Sequence, residues 1–312
     1  MAFILMLGAF AGLFGETALN MALSNIMEQF TVPATTAQWL TTGYLLVLAI
    51  LVPISALLMK WFTTRQLVIG GLTISLAGAI LAALNISFSV LLLGRVVQAI
   101  GTGLLLPVML SVMLLIFPIQ KRGVVMGLMG LVITLAPALG PTLSGVIIST
   151  LSWPYIFWFS AIAYVLLILV AAAKIENVSE ITKPKIDVSS ILLSTLGFGG
   201  LIFALSTMAE VAITSSKVWA PLVVGVIALL SFGIRQNKMA QPMVNLSVFK
   251  YPMFTLGTFT MFLGILIILS TGILLPLYLK GSLLFSAAMA GLLLLPGNAV
   301  NFILSPIVGA LF

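Results

Sequence analysis

The chain has 312 residues, of which 62% are hydrophobic and only 6% are charged, and its mean hydropathy is +1.32. A soluble domain is about half apolar and about a quarter charged, so this composition excludes a globule with a surface wetted by charged side chains. The absence of cysteine and histidine excludes disulfides, Cys- or His-ligated metals and a histidine proton carrier. Any proton chemistry must therefore use carboxylates.

Continuous apolar stretches of membrane-spanning length follow one another along the chain. A bilayer core needs about 20 apolar residues in a helix, and ten such spans are predicted at 3–26, 37–59, 66–87, 90–117, 122–149, 155–173, 188–209, 218–234, 252–279 and 285–312. The stretches are long and do not alternate, which favours helices over barrel strands. The predicted fold class is an all-α polytopic integral membrane protein.

The positive charges predict which side of the membrane each loop faces. If the N-terminus is cytoplasmic, the following basic residues all lie inside: Lys60, Arg65, Lys121, Arg122, Lys174, Lys183, Lys185, Arg235, Lys238 and Lys250. Only Lys217 and Lys280 lie outside, and Arg95 lies within a span. This asymmetry follows the positive-inside rule. We therefore interpret the net charge of +7 as a topology signal and not as a nucleic-acid footprint.

Only two charged residues lie in the middle of a predicted span, Glu16 in the first and Arg95 in the fourth. Charge in a bilayer is costly and is usually functional. Asn20 shares a helix face with Glu16, and Gln98 shares one with Arg95. Both charges are expected in the outer half of the membrane, in direct contact or in water-mediated reach. Two hypotheses stay open: a proton-responsive carboxylate facing a central cavity, or a static buried pair.

The fifth predicted span carries a stripe of small residues at a spacing of four. Ala136, Gly140 and Ser144 form it, and Pro137 and Pro141 interrupt the backbone donors. Small residues at this spacing allow close helix contact. We predict a kinked helix pressed against a neighbour, suited to rocking or to sealing a leak, with simple tight packing as the alternative.

These features resemble the major facilitator superfamily, and within it the 14-span drug:proton antiporters of the EmrB/QacA type. The antiporter pattern G-x8-G-x3-G-P-x2-G-G aligns with Gly127, Ala136, Gly140, Pro141, Ser144 and Gly145. The fourth-span pattern R-x-x-Q-x-x-G-x-G is met by Arg95, Gln98, Gly101 and Gly103. The resemblance implies a major facilitator fold and a proton-transfer role for Arg95.

Two departures from the family patterns affect candidate site residues. In the first-span pattern D-x-T-x-x-N, Thr17 and Asn20 match, but Gly15 stands in the place of the acid and Glu16 follows one residue later. In the loop after the second span, Met59 takes the place of the acid, while the positive charge stays at Lys60 and Arg65. The segments "ETALN", "QWLTTGYLL" and "FTTRQL" resemble the lincomycin-resistance branch of the family.

The resemblance also implies a domain organisation. Residues 1–173 are expected to form an N-terminal six-helix bundle and 174–187 a cytoplasmic linker. Residues 188–251 would hold two inserted transmembrane helices and a cytoplasmic loop, and 252–312 the start of an incomplete C-terminal bundle. About 10 of an expected 14 helices would be present, so we expect a chain truncated at its C-terminus.

The implied function is proton-coupled export of hydrophobic or cationic drugs across a bacterial cytoplasmic membrane by alternating access. The partners would be the lipid bilayer and a small substrate, the energy source would be the proton gradient, and no cofactor, metal or nucleic acid is expected. Met21, Trp39 and Tyr44 are candidates for an apolar cavity wall. The alternative is a non-transporting remnant or a structural partner of another membrane chain. No partnered nucleophile supports an enzyme.

Overall fold

A computed structural model of the chain describes residues 1–281, except 180, 184–185, 209–210, 212 and 240–241, and only isolated positions beyond 281. The helices in this part are α1 Ala2–Ala18, α2 Leu23–Phe30, α3 Ala34–Trp61, α4 Thr64–Ala83, α5 Phe88–Ile116, α6 Ile119–Thr150, α7 Tyr155–Lys174, α8 Val188–Thr207, α9 Ser216–Lys238 and α10 Pro252–Gly281. The described residues contain no strand, which confirms the predicted all-α class.

The lengths and apolarity of these helices fit a membrane protein. Within the described ranges, eight helical segments are long and apolar enough to cross a bilayer, if Ala2–Phe30 counts as one. A shorter apolar stretch, Pro252–Ile267, begins the ninth predicted span. The tenth predicted span, 285–312, lies outside the described residues.

The first predicted span is not one uninterrupted α-helix. A 3-10 turn at Leu19–Ala22 separates α1 from α2, and the helical segment continues to Phe30 instead of ending at 26. The turn packs against α6, and both Leu19 and Ala22 are fully buried there. Tertiary packing therefore decides the winding here, because the sequence carries no proline or glycine within the turn.

Helix boundaries elsewhere follow local capping chemistry. At α4 the side chain of Thr63 accepts from the Gln66 backbone and the Gln66 side chain accepts from the Thr63 backbone, which is a capping box. Ser87 caps α5 through the Val90 backbone N–H at 3.3 Å. Helices α3 and α6 each begin directly after a proline. Helices α3, α4, α5 and α6 therefore begin two or three residues before the spans that were predicted from apolarity alone.

Helix α1 lies between α5, α6 and α7, and α4 packs along both α5 and α7. Helix α3 lies against α5 on one side and against α8 on the other. The α8–α9 hairpin therefore attaches to the first bundle through α3. This arrangement surrounds the intramembrane part of α1, where Glu16 lies, with helices on several sides.

Helices α4 and α5 are in backbone contact along glycine faces. A Cβ atom placed on Gly78 would lie 2.6 Å from the Gly94 carbonyl oxygen and still closer to the Gln98 backbone nitrogen. A Cβ on Gly94 would lie 2.7 Å from the Ala82 nitrogen. In lipid the hydrophobic effect does not drive helices together, so close backbone packing is a main source of the affinity between helices.

We expect Gly78→Ala to destabilise the protein, because the new methyl group meets backbone atoms that cannot rotate away. Overpacking of this kind costs about 1–3 kcal/mol, which a thermal unfolding assay in detergent will detect as a lower midpoint. Gly70→Ala on the same helix is the matched control, since within the described residues no atom beyond the adjoining backbone of α4 lies within 4 Å of its added Cβ. Equal midpoints for the two variants would contradict the backbone contact.

A polar network joins the end of the linker to the α8–α9 hairpin. Arg235 donates to both carboxylate oxygens of Asp187, at 2.7 and 2.8 Å, and Ser190 donates to Asp187 at 2.5 Å. Gln236 donates to Ser190 at 2.6 Å and accepts from the Met243 backbone at 2.7 Å. The network thus holds the start of α8, the end of α9 and the chain that leads to α10.

The hydrogen bond from Arg235 lowers the pKa of Asp187 from its usual 3.8 to about 2. A carboxyl group with a lowered pKa in the folded state stabilises that state above pH 4, and the stabilisation is lost as the pH falls towards 2. We expect Asp187→Asn to lower the unfolding midpoint at pH 6, with a difference from the parent chain that shrinks between pH 4 and pH 2. A difference that is independent of pH would contradict this role for the charge.

Candidate functional site

The guanidinium of Arg95 lies at the centre of a buried polar cluster and its side chain is fully buried. Its Nε donates to the Leu40 carbonyl oxygen at 3.3 Å. Its Nη1 donates to the Gly15 carbonyl oxygen at 2.9 Å and to Gln98 Oε1 at 2.8 Å. One side chain on α5 therefore ties together the backbones of α1 and α3.

Tyr44 covers the other side of this guanidinium. Its ring centroid lies 4.2 Å from Arg95 Cζ, which is cation–π geometry. Its hydroxyl lies 3.0 Å from the Gly12 carbonyl oxygen and 2.8 Å from Thr102 Oγ1. Tyr44 was predicted for an apolar cavity wall; it is fully buried and belongs to the polar cluster instead.

Glu16 is half-buried and interacts with Arg95 electrostatically, but without a direct ion pair. Among the described residues, the one ion pair within 4.0 Å joins Asp187 to Arg235. The predicted contact between Glu16 and Arg95 is therefore not direct. The carbonyl of Gly15, and not the Glu16 carboxylate, accepts a hydrogen bond from the guanidinium. The acid stands one residue after the position of the family pattern, which turns its side chain by about 100° around the helix.

The remaining first-span and cavity candidates lie apart from this cluster. Asn20 is exposed, and its Oδ1 accepts from Thr41 Oγ1 at 3.0 Å. Met21 lies against α6, where its Cε would be 3.8 Å from a Cβ on Gly145. Trp39 packs against Phe203 of α8 with ring centroids 5.5 Å apart. The roles of Met21 and Trp39 in a cavity wall stay predictions.

The antiporter-pattern helix, α6, packs tightly on α1. A Cβ on Gly140 would overlap Thr17 Oγ1 and lie 3.1 Å from the Ala18 backbone nitrogen. Ala136 and Ser144, which replace glycines of the family pattern, are fully buried. Helix α6 continues as one helix from Ile119 to Thr150 through both prolines, while Gly127 and Pro141 are half-buried.

The end of α3 and the start of α4 bind the end of α7 and the linker that follows it. The Lys60 carbonyl oxygen accepts from the backbone N–H groups of Thr182 and Lys183, both at 3.1 Å. Arg65 Nη2 donates to the Ala172 carbonyl oxygen at 2.6 Å, and the Arg65 backbone N–H donates to Asn177 Oδ1 at 3.1 Å. Lys60 and Arg65 therefore act here through backbone groups and a guanidinium, without an acid at Met59.

Sequence reasoning missed Tyr164, which completes the buried cluster. It lies in the middle of the apolar helix α7, it is fully buried, and its hydroxyl lies beside Ser75, Gln98 and Thr102. The available signal was a tyrosine more than two turns from either end of a membrane span, away from the interfacial position that tyrosine favours.

Residues 5–312 match the family described as the Major Facilitator Superfamily. The chain is 54% identical over 307 residues to a lincomycin resistance protein of Listeria monocytogenes, covering 98% of this chain and 65% of that protein. It is 53% identical over 310 residues to a lincomycin resistance protein of Bacillus subtilis, covering 99% of this chain and again 65% of that protein. The chain thus spans 65% of the length of these two curated relatives.

Solved transporters share the fold at low sequence identity. The proton:xylose symporter XylE matches with a TM-score of 0.62 and 14% identity, over 98% of this chain and 67% of that one. The human organic anion transporter MFSD10 matches with a TM-score of 0.54 and 14% identity, over 99% of this chain and 84% of that one. Both comparisons concern the fold alone.

We expect Arg95→Lys to destabilise the bundle although it preserves the charge. An ammonium group is a compact point charge, so it cannot reach Leu40, Gly15 and Gln98 together as the planar guanidinium does. Loss of charged hydrogen bonds of this kind costs about 1.5–3 kcal/mol each, to be measured as a lower midpoint of thermal unfolding. Arg122→Lys is the control, because among the residues that the structure describes Arg122 makes a single 3.4 Å bond, to the Phe117 carbonyl oxygen. An unchanged midpoint for Arg95→Lys would contradict the central role of the guanidinium.

Proposed function

The chain belongs to the Major Facilitator Superfamily, and from that premise we propose that it acts in proton-coupled export of hydrophobic or cationic drugs by alternating access. This membership confirms the family predicted from the sequence. The relatives named as lincomycin resistance proteins support drug export as the task. Membership in a transporter family also argues against an enzyme.

The observation that carries proton coupling is the half-buried Glu16 in α1, next to the buried Arg95 but not paired with it. Burial disfavours a charged carboxylate, whereas a nearby guanidinium favours it. The balance between these effects depends on the exact environment of the side chain. A carboxylate in this position can therefore bind a proton in one conformation of the bundle and release it in another.

The contacts of α1 support a link between that carboxylate and helix movement. Arg95 holds the α1 backbone at Gly15, while Gly140 of α6 lies against Thr17 on the same helix. A displacement of α1 relative to α5 changes the distance between Glu16 and Arg95 and thus the proton affinity of Glu16. In this proposal, Arg95 is a positioning residue and Glu16 is the proton carrier, with Asn20 and Gln98 beside them.

The same proposal places the chain in a bacterial cytoplasmic membrane, with the N-terminus and the loop that carries Lys60 and Arg65 on the cytoplasmic side. The proton gradient would supply the energy, and no cofactor would be needed. The substrate would be a small hydrophobic or cationic drug, and the lincomycin class is the first to test. The antiporter-pattern residues on α6 would seal the bundle against leaks during exchange.

We expect Glu16→Gln to abolish drug-dependent proton movement in membrane vesicles that contain the chain, because an amide cannot carry the proton. The measurement is the collapse of a preset pH gradient, followed with a pH-sensitive dye, after addition of lincomycin. Glu28→Gln is the matched control, since Glu28 is exposed on α2. It should retain the parent response.

Coupling retained in Glu16→Gln would contradict the assignment of the proton carrier. No response in the parent chain would contradict proton-coupled export itself and would favour the non-transporting alternative. Equal amounts of protein in the membranes, measured by immunoblot, exclude a folding defect as the cause of any loss.

A further inference from the structure

Three polar groups of the buried cluster have no hydrogen-bond partner in the part of the chain that the structure describes. They are Arg95 Nη2, Gln98 Nε2 and the Tyr164 hydroxyl, and all three side chains are fully buried or nearly so. A buried donor without an acceptor costs about 1–3 kcal/mol, and more when it is charged. Three such groups at one place therefore require a common explanation.

The three groups lie next to one another. Arg95 and Gln98 share the 2.8 Å bond between Nη1 and Oε1, so the unpartnered nitrogen of each side chain is adjacent to that bond. The Tyr164 hydroxyl lies beside the Gln98 side chain, but not in hydrogen-bonding geometry, and it interacts electrostatically with Arg95. Helices α5 and α7 thus bring a guanidinium edge, an amide NH₂ and a hydroxyl together.

These groups are mainly donors and carry a positive charge. A guanidinium has five N–H donors and no acceptor, and the amide oxygen of Gln98 is already occupied by Arg95. Within the described ranges, no carboxylate lies within 4.0 Å of Arg95. Glu16 interacts with Arg95 only from beyond that distance, and a buried charge without a close counter-ion is strongly unfavourable. The chemistry therefore favours an acceptor that is small and negatively charged.

The glycine at position 15 borders this place. A Cβ on Gly15 would lie 3.3 Å from Gln98 Nε2, so the backbone of α1 closely approaches the amide group here. The Gly15 carbonyl occupies Nη1 and leaves Nη2 free for another acceptor.

We propose that Arg95, Gln98 and Tyr164 form a buried binding site for one small monovalent anion, such as chloride, between α5, α7 and Gly15 of α1. The anion accepts hydrogen bonds from the three groups and neutralises the guanidinium. This site goes beyond drug export, and its occupancy is measured by binding and stability, so its test does not depend on transport.

The experiment compares purified full chain in detergent at constant ionic strength, with sodium gluconate replaced stepwise by sodium chloride. A ligand that binds only the folded state raises the unfolding midpoint with saturation, and we expect a rise of about 2–4 °C. Equilibrium binding of radioactive chloride should give about one site per chain. A midpoint that does not distinguish chloride from gluconate, or no saturable binding, would overturn the proposal and leave water as the acceptor.

Tyr164→Phe removes one donor and keeps the ring, so it should fold and bind chloride at least about fivefold more weakly. This estimate corresponds to about 1 kcal/mol for one hydrogen bond. Tyr155→Phe, at the exposed start of the same helix, is the matched control and should bind as the parent chain does. Unchanged chloride affinity in Tyr164→Phe would overturn the assignment of the site to this cluster.

Discussion

The buried guanidinium of Arg95 sets the arrangement of the helices around it. A cation in the interior of a membrane protein must be solvated by the protein itself, because neither lipid nor bulk water can do so. Carbonyl oxygens of Gly15 and Leu40, the Gln98 amide and the face of Tyr44 supply that solvation. Helices α1, α3 and α5 cannot separate without stripping a charge of its partners, so this cluster defines how they meet.

Small residues make such a cluster geometrically possible. Backbone contact between α4 and α5 at Gly78 and Gly94 extends to the backbone of Gln98, whose side chain belongs to the cluster. In the same way, the absence of a side chain at Gly140 lets α6 approach Thr17 of α1. Glu16 therefore lies on a helix that is held by charge at one point and by close contact at another. That combination supports the proposal that the surroundings of Glu16 change when the helix moves.

Two polar networks hold the linker that follows α7. Arg65 and Asn177 attach the first part of the linker to the start of α4, and Asp187 and Arg235 attach its last part to the α8–α9 hairpin. No acid stands at Met59, and the backbone carbonyls of Lys60 and Ala172 accept the hydrogen bonds at this place. The linker between them is thus anchored at both ends.

The sequence by itself determined the membrane environment, the helical class and the family, because length and apolarity of the spans are local properties. It also identified Glu16 and Arg95, since charge within an apolar span is visible without a structure. Only the tertiary structure decided their relation. Helix rotation and packing bring Gly15, and not Glu16, to the guanidinium, move Tyr44 from a cavity wall into the cluster, and add Tyr164 from a distant helix. Contacts between helices depend on angle and register, and side-chain spacing along one helix does not fix either of them.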